Sequence, residues 1–184
     1  YFDVNNGAPG ARDPNIAVRF FRKSDNGPIM DQTLPFTQEF RVDYFQPLCS
    51  NGEIVTDKLV YSKVINLSPL EENGMELFDD PEGYYISWER CCRNYGITNI
   101  FSEDPNNGGI ITAGQTFYLE FPPIIKDGKP FINSSPQLFP PLNDYACPNR
   151  PYWVDFAGVD IDDDSLVYSL ITPLNTVTSQ AIPA

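Results

Sequence analysis

Proline is the feature that most limits the folds open to this chain. Eighteen prolines are spread over its 184 residues, and proline disrupts a helix interior because it lacks a backbone N–H and clashes with the preceding turn. No window sustains the i, i+3, i+4, i+7 spacing of apolar residues that is typical of an amphipathic helix. We therefore expect strands rather than helices.

Alternation of apolar and polar residues predicts where those strands lie. Between positions 36 and 44, for example, Phe36, Phe40, Val42 and Tyr44 share one face while polar residues occupy the other. Dipeptides such as Asn26-Gly27, Asn51-Gly52 and Asp127-Gly128 mark turns between such segments. The predicted strands are 15–21, 36–44, 59–67, 83–93, 115–121 and 165–171. Short strands separated by turns predict an all-β fold of one or more antiparallel β-sandwich modules.

A domain boundary is expected between about residues 122 and 130, where Pro122-Pro123 precedes the polar turn Lys126-Asp127-Gly128-Lys129-Pro130. We expect a β-sandwich module over 1–125 and the start of a second module over 126–184. The second stretch is too short for an immunoglobulin-type sandwich of about 100 residues, so it is either truncated or shares a core with the first. Because the chain opens at Tyr1, we expect it to be a piece of a longer protein.

Charge and composition exclude several classes of function. A formal net charge of -13 repels phosphate backbones and argues against nucleic-acid binding. No apolar run approaches the roughly 18 residues that span a bilayer, so membrane insertion is not expected. Histidine is absent, which removes Ser-His-Asp and Cys-His catalysis and the usual His-bearing zinc sites. Paired carboxylates remain a catalytic option among the 25 acidic residues, but no such pair is identified, and we expect a non-enzymatic protein.

Four cysteines occur, without the C-x-x-C spacing of zinc or redox motifs: Cys49, Cys91, Cys92 and Cys147. An even number of cysteines in an acidic, Pro- and Gly-rich chain favours disulfides and an oxidising compartment. Neighbouring cysteines on a strand point to opposite faces, so we expect Cys49 to pair with one of Cys91 and Cys92, and Cys147 with the other. Buried free thiols are the alternative.

The acidic run Asp160-Ile161-Asp162-Asp163-Asp164 predicts a Ca²⁺ site, because calcium prefers six to eight oxygen ligands. An EF-hand is excluded, since Ser165 stands where that loop needs Gly and Ile171 where it needs Glu. A loop of a β-sandwich remains open, with Asp160, Asp162 and Asp164 as ligands. Further ligands are expected from Asp155, Asn133, Asp144 and Asn143. The alternative is a solvated acidic turn.

The segment from Gly83 to Asn94 carries the second candidate site. Alternation places Tyr85, Glu89 and Arg93 on one face, where an aromatic ring and charged groups are able to contact a sugar. A salt-bridged sheet surface is the alternative for the same residues.

Several stretches resemble large cell-surface and secreted proteins of Bacteroidota that are gliding-motility-associated and exported by the type IX secretion system. They are Gly83–Asn94, Ile97–Ile100, Asn133–Pro136, Cys147–Asn149 and Asp155–Leu174. The last also resembles cadherin-like and bacterial Ig-like repeats, where an Asp-rich loop precedes a Leu-x-Tyr-x-Leu strand. Here Asp163 replaces the loop glycine, and the resemblance makes Asp160, Asp162 and Asp164 the cation ligands.

This resemblance implies a module of a large secreted adhesin at the bacterial cell surface, stabilised by calcium and linked to gliding motility or surface attachment. Its expected partners are other modules of the same protein, surface glycans, and the secretion or motility machinery. One alternative is a carbohydrate-binding module of a secreted glycan-degrading protein. Another is the N-terminal region of a giant type IX secretion substrate that is held by the export machinery.

Overall fold

A computed structural model describes residues 2–3, 12–42, 56–68, 78–90, 93, 98–102, 113–138, 146–153 and 155–176. These residues form strands, turns and extended segments, without a helix. The described part therefore offers no helix of the length and apolarity that a membrane span requires. The strand pairings with a described register are antiparallel, and the sheets are β-sandwich-like, which confirms the predicted fold class.

The strands are β1 (Phe2–Asp3), β2 (Asn15–Arg22), β3 (Pro28–Val42), β4 (Thr56–Tyr61), β5 (Tyr84–Arg90), β6 (Gln115–Phe121), β7 (Ile125–Lys126), β8 (Lys129–Pro130), β9 (Gln137–Leu138) and β10 (Gly158–Val159). The hydrogen-bonded order in the largest sheet is β1-β4-β3-β2-β5-β6. Two small two-stranded sheets, β7-β8 and β9-β10, complete the strands that the structure describes.

The chain divides into two interleaved units. Unit A comprises Tyr1–Asn15, Pro35–Lys63 and Ser134–Tyr168, and unit B comprises Ile16–Leu34, Val64–Asn133 and Ser169–Ala184. This division differs from the expected sequential one. The expected boundary between residues 125 and 126 lies inside unit B, within β7.

The core of unit B forms where β2 and β5 place their apolar residues on the same face. The register pairs Phe20 with Ile86 and Tyr84 with Phe121. Val18, Phe20, Phe78 and Tyr84 are buried together. Phe78 meets the rings of Phe20 and Tyr84 edge-on, with centroids 6.2 and 5.0 Å apart. Edge-to-face contacts of this kind add to the free energy gained by burying the rings.

A buried turn before β5 is held by Asp80, which is 3% exposed. Its carboxylate accepts hydrogen bonds from the backbone N–H and hydroxyl of Ser24, at 3.0 and 2.7 Å, and from the N–H of Glu82 at 2.9 Å. Burial pushes the pKa of Asp80 upward, but these hydrogen bonds outweigh it and lower the pKa. The N–H of Asp80 in turn donates to the Tyr84 hydroxyl at 2.6 Å.

In unit A, the C-terminal part of β3 pairs with β4, with a register shift between Phe36 and Gln38. Asp57 on β4 is 4% exposed, and its carboxylate forms an ion pair with Arg41 at 2.6 Å. Arg12 approaches the same carboxylate at 3.9 Å. A buried carboxylate needs such partners, because an unpaired charge is costly to remove from water.

Several local predictions are confirmed, and others are wrong in whole or in part. The strand predicted over 59–67 forms only as far as Tyr61, where β4 ends. The strand predicted at 115–121 matches β6, and the one at 15–21 matches β2 apart from one added residue. Asp127 and Gly128 form the predicted turn, with φ of 52° and 72°. The strand predicted over 165–171 does not form. Leu170 and Ile171 there are 103% and 77% exposed. The segment alternates as a strand would, but it acquires no hydrogen-bonded partner in the described part of the chain.

Candidate functional site

The predicted calcium loop is a turn closed by its own first aspartate. Asp160 Oδ1 accepts the backbone N–H groups of Asp162 at 2.8 Å and Asp164 at 3.3 Å. Asp163, at the position where the resembling repeats carry Gly, has φ of 60°, and Asp tolerates this left-handed conformation better than most residues. The backbone therefore curls as a tight loop around Asp160.

Two of the other expected calcium ligands, Asp162 and Asp155, accept hydrogen bonds from backbone N–H groups. Asp162 Oδ2 accepts the N–H of Ser134, and Asp155 Oδ1 accepts that of Ala157 at 2.8 Å. Asn133 is exposed and directly precedes Ser134, whereas Asn143 and Asp144 lie outside the described residues. The carboxylates have the donor chemistry that calcium prefers. Among the residues described, however, no three His, Cys, Asp or Glu side chains converge into a group that could hold a metal ion.

The three residues predicted to contact a ligand are divided between two places. Tyr85 and Glu89 share the solvent-facing side of β5. Arg93 follows the end of that strand and is 7% exposed. Its guanidinium contacts Gln115 and backbone carbonyls rather than Tyr85 or Glu89.

Tyr85 belongs to a row of three rings that crosses β2, β5 and β6. We call Phe21, Tyr85 and Tyr118 the aromatic row. Phe21 stacks on Tyr85 with centroids 4.8 Å apart and planes inclined by 9°. Tyr118 meets the other side of Tyr85 at 4.9 Å and 40°. The row arises because the sheet register brings Phe21 opposite Tyr85, and Tyr118 opposite the neighbouring Ser87.

Polar groups fix both tyrosines of the row. Tyr85 donates its hydroxyl to Asn26 Oδ1 at 3.2 Å, and Tyr118 donates to Glu120 Oε1 at 2.7 Å. Glu120 also forms an ion pair with Lys23. Partial burial, and then the neighbouring Glu120 carboxylate, raise the pKa of Tyr118 to about 12. The hydrogen bond from Lys23, followed by that from Tyr118, lowers the pKa of Glu120.

The stacking determines what the aromatic row is able to bind. A flat sugar platform needs ring faces directed at solvent, but in this row the rings cover much of one another's faces. Tyr118 ends the row on β6, the last strand of the sheet, and is 46% exposed. A ligand would therefore contact the ring edges and the Tyr118 ring. Sequence reasoning identified Tyr85 but missed Phe21 and Tyr118, which only the strand register places beside it.

Arg93 forms a second polar feature of unit B. Its Nε donates to Gln115 Oε1 at 3.2 Å, and its Nη1 and Nη2 donate to the carbonyls of Phe101, Pro173 and Leu174. Arg93 also lines a cleft of about 450 Å³. Other residues of that cleft are Asn99, Ile100, Phe101, Leu170 and Ile171.

Of the four predicted disulfide cysteines, Cys147 is disulfide-bonded. The described part of the chain contains no free cysteine. Cys49, Cys91 and Cys92 lie outside the described residues, so the expected pairing of Cys49 and Cys147 with Cys91 and Cys92 stays a prediction.

Comparison of the chain with models of protein families, with curated proteins and with solved structures finds no match.

Proposed function

We propose that the chain is a non-catalytic binding module of a large secreted adhesin at the bacterial cell surface. The aromatic row is the observation that supports this proposal best. Tyrosine offers a large amphipathic contact area at low conformational-entropy cost, and it is enriched at binding surfaces for that reason. Here two tyrosines are held by hydrogen bonds on a sheet, so little ordering remains to be done when a partner binds.

The surroundings of the row suit a contact face. Two ion pairs lie next to it, Lys23 with Glu120 and Arg19 with Asp31. A partner surface therefore meets a patch whose nearby charges include these pairs, on a chain of net charge -13. Such a patch lets an acidic protein approach surfaces that its overall charge would repel. The expected partners are surface glycans, neighbouring modules of the parent protein, and the motility or secretion machinery.

A carbohydrate-binding module is the second candidate, and the exposed Tyr118 ring favours it. A ring at the end of the row, beside the Glu120 carboxylate and the Lys23 ammonium, provides a stacking surface and hydrogen-bonding groups for a sugar. The two candidates differ in specificity. An adhesin patch would bind several surfaces. A carbohydrate module would bind one polysaccharide, and the matching free oligosaccharide would compete for the site and release the chain from it.

The experiment compares two neighbouring residues of β6 that are about equally exposed, Tyr118 at 46% and Phe117 at 50%. They point to opposite faces of the sheet, and Phe117 stacks on Trp88 instead of joining the row. Labelled chain is applied to glass and to cellulose, chitin and agarose beads. We expect Tyr118→Ala to weaken retention at least about tenfold, as loss of an aromatic anchor does, and Phe117→Ala to leave it within about twofold.

Equal retention of the two variants and the original chain would contradict the proposed contact face. Retention on a single polysaccharide, competed by its soluble oligosaccharide, would favour the carbohydrate module. Retention on glass and on all bead types would favour the adhesin.

Calcium binding is part of the proposal for the Asp160–Asp164 loop. The left-handed Asp163 and the hydrogen bonds to Asp160 Oδ1 give the loop a compact backbone. Asp160, Asp162 and Asp164 would hold the ion, which would offset the repulsion among carboxylates this close in sequence. Because they do not converge without it, we expect weak binding, with a dissociation constant of roughly 10⁻⁴–10⁻³ M as in extracellular modules.

A further inference from the structure

We infer that the cleft beside Arg93 binds a small organic carboxylate that carries a short apolar body. This site uses residues other than those of the aromatic row, and it does not depend on the proposed adhesive function. The inference begins from Arg93 itself, a cation that is 7% exposed.

Within the described residues, the Arg93 guanidinium donates its hydrogen bonds to neutral acceptors. The acceptors are the Gln115 side chain and the carbonyls of Phe101, Pro173 and Leu174. In the described part of the chain, none of its nitrogens lies within ion-pair distance of a carboxylate. A charge removed from water is stable when it is paired or well hydrogen-bonded. The described residues give Arg93 hydrogen bonds and no counter-charge.

The hydrogen-bond geometry leaves one donor for a ligand. A guanidinium has five N–H donors. Nε uses its one on Gln115, and Nη2 uses both on Pro173 and Leu174. Nη1 donates to Phe101, and its second N–H has no acceptor among the described residues. Because Arg93 lines the cleft, a carboxylate entering it would supply both the missing acceptor and the missing negative charge.

The rest of the cleft selects the body of the ligand. Apolar side chains form most of its wall, including Ile100, Phe101, Leu170 and Ile171. Phe101, Leu170 and Ile171 are 56%, 103% and 77% exposed, so a ligand is able to cover apolar surface that now faces water. A sugar acid would place many hydroxyl groups against these side chains. A volume of about 450 Å³ falls within the usual range of small-ligand sites, roughly 300–1,000 Å³.

The cleft is also built on anchored backbone. The carbonyl of Leu174 accepts the N–H of Thr116 at 3.1 Å, and that of Asn175 accepts the Thr116 hydroxyl at 2.8 Å. These bonds fix the segment that follows Ile171 to the start of β6. Arg93 binds the same segment, so its guanidinium position is set before any ligand arrives, which lowers the ordering cost of binding.

The experiment titrates the whole chain with four probes and follows the Arg93 Nε–H and the Asn99 side-chain amide by NMR. N-acetyl-leucine carries both required features, whereas N-acetyl-leucinamide lacks the charge. Hexanoate tests an acid without a peptide group, and glucuronate tests an acid with a polar body. We expect the amide to bind at least about tenfold more weakly than N-acetyl-leucine, because a charge-assisted hydrogen bond is lost. Glucuronate should also bind more weakly.

Variants at the exposed cleft wall test the charge without disturbing Arg93. We expect Ile171→Asp to weaken the binding of N-acetyl-leucine several-fold and Ile171→Lys to strengthen it. Val167→Asp is the control for added negative charge, since Val167 is 91% exposed and does not line the cleft. Equal binding of acid and amide would overturn the role of the carboxylate. Absence of binding by any acid, or equal effects of Ile171→Asp and Val167→Asp, would overturn the site. Tighter binding of glucuronate than of N-acetyl-leucine would overturn the requirement for an apolar body. Equal binding of hexanoate and N-acetyl-leucine would identify simple aliphatic acids as sufficient ligands.

Discussion

Replacing Tyr84 by Phe removes one oxygen from a buried hydrogen bond of unit B. Tyr84 is 0% exposed and accepts the backbone N–H of Asp80, itself 3% exposed, at 2.6 Å. Tyr84→Phe keeps the ring contacts with Phe78 and Phe121 but leaves that N–H buried without an acceptor. An unsatisfied buried donor costs about 1–3 kcal/mol. We therefore expect the free energy of unfolding to fall by about 2 kcal/mol.

Tyr85→Phe is the matched control, because Tyr85 is the next residue of β5 and lies half-buried on the face opposite the core. Its hydroxyl bonds to Asn26 at 3.2 Å in an exposed setting, so its loss should change the free energy of unfolding by no more than about 0.5 kcal/mol. Urea unfolding followed by Trp88 fluorescence measures both variants. Thermal unfolding should show a Tm lower by about 4–8 °C for Tyr84→Phe.

Alkaline titration provides an independent check on the same residue. Burial, the largest effect, raises the pKa of Tyr84 to about 12, and one phenol that ionises only at this high pH should disappear in Tyr84→Phe. If Tyr84→Phe and Tyr85→Phe were equally stable, the Asp80 N–H would have to find another acceptor, and the reasoning about the buried turn would be refuted.

Three further predictions concern acid stability, backbone conformation and calcium. Since the pKa of Asp80 is lowered in the folded state, its contribution to stability is present above the unfolded pKa of about 3.9 and is lost as pH falls through the folded value. The difference in free energy of unfolding between the original chain and Asp80→Asn should therefore be smaller at pH 3 than at pH 6 in urea titrations. An equal difference at the two pH values would contradict this. Gly83→Ala should destabilise by at least about 3 kcal/mol, because φ is +89° and the new Cβ would lie 2.6 Å from the Phe121 carbonyl oxygen. Gly128→Ala, with φ of +72° and open space around it, should cost only about 1–2 kcal/mol. If urea titrations showed the same loss of stability for both variants, the clash with the Phe121 carbonyl would be contradicted. For a dissociation constant near 10⁻³ M, 10 mM Ca²⁺ should stabilise the chain by about 1.4 kcal/mol. Calorimetry should show this as a higher Tm, which EGTA reverses and Asp162→Asn diminishes. An unchanged Tm would exclude calcium binding.

Much of the local structure follows from the sequence alone. The alternation of Phe117, Leu119 and Phe121 with polar neighbours located β6, and Asp127-Gly128 located a turn, because both signals depend on the geometry of adjacent residues. Alternation also placed Tyr84 and Trp88 on one face of β5 and Tyr85 on the other. The eighteen prolines and the absence of helical spacing among the apolar residues were sufficient to predict the all-β class.

Tertiary structure decided everything that depends on which segments meet. The segment 165–171 alternates as β6 does, yet it forms no strand, since a strand requires a partner that alternation does not supply. Phe21 and Tyr118 join Tyr85 only through the register of three strands that are distant in sequence. Arg93 appeared from its spacing to be a surface residue beside Glu89, but packing buries it among carbonyls of residues 101, 173 and 174. The local alternation of apolar and polar residues determines which way a side chain points, and only the pairing of segments distant in sequence determines what it contacts.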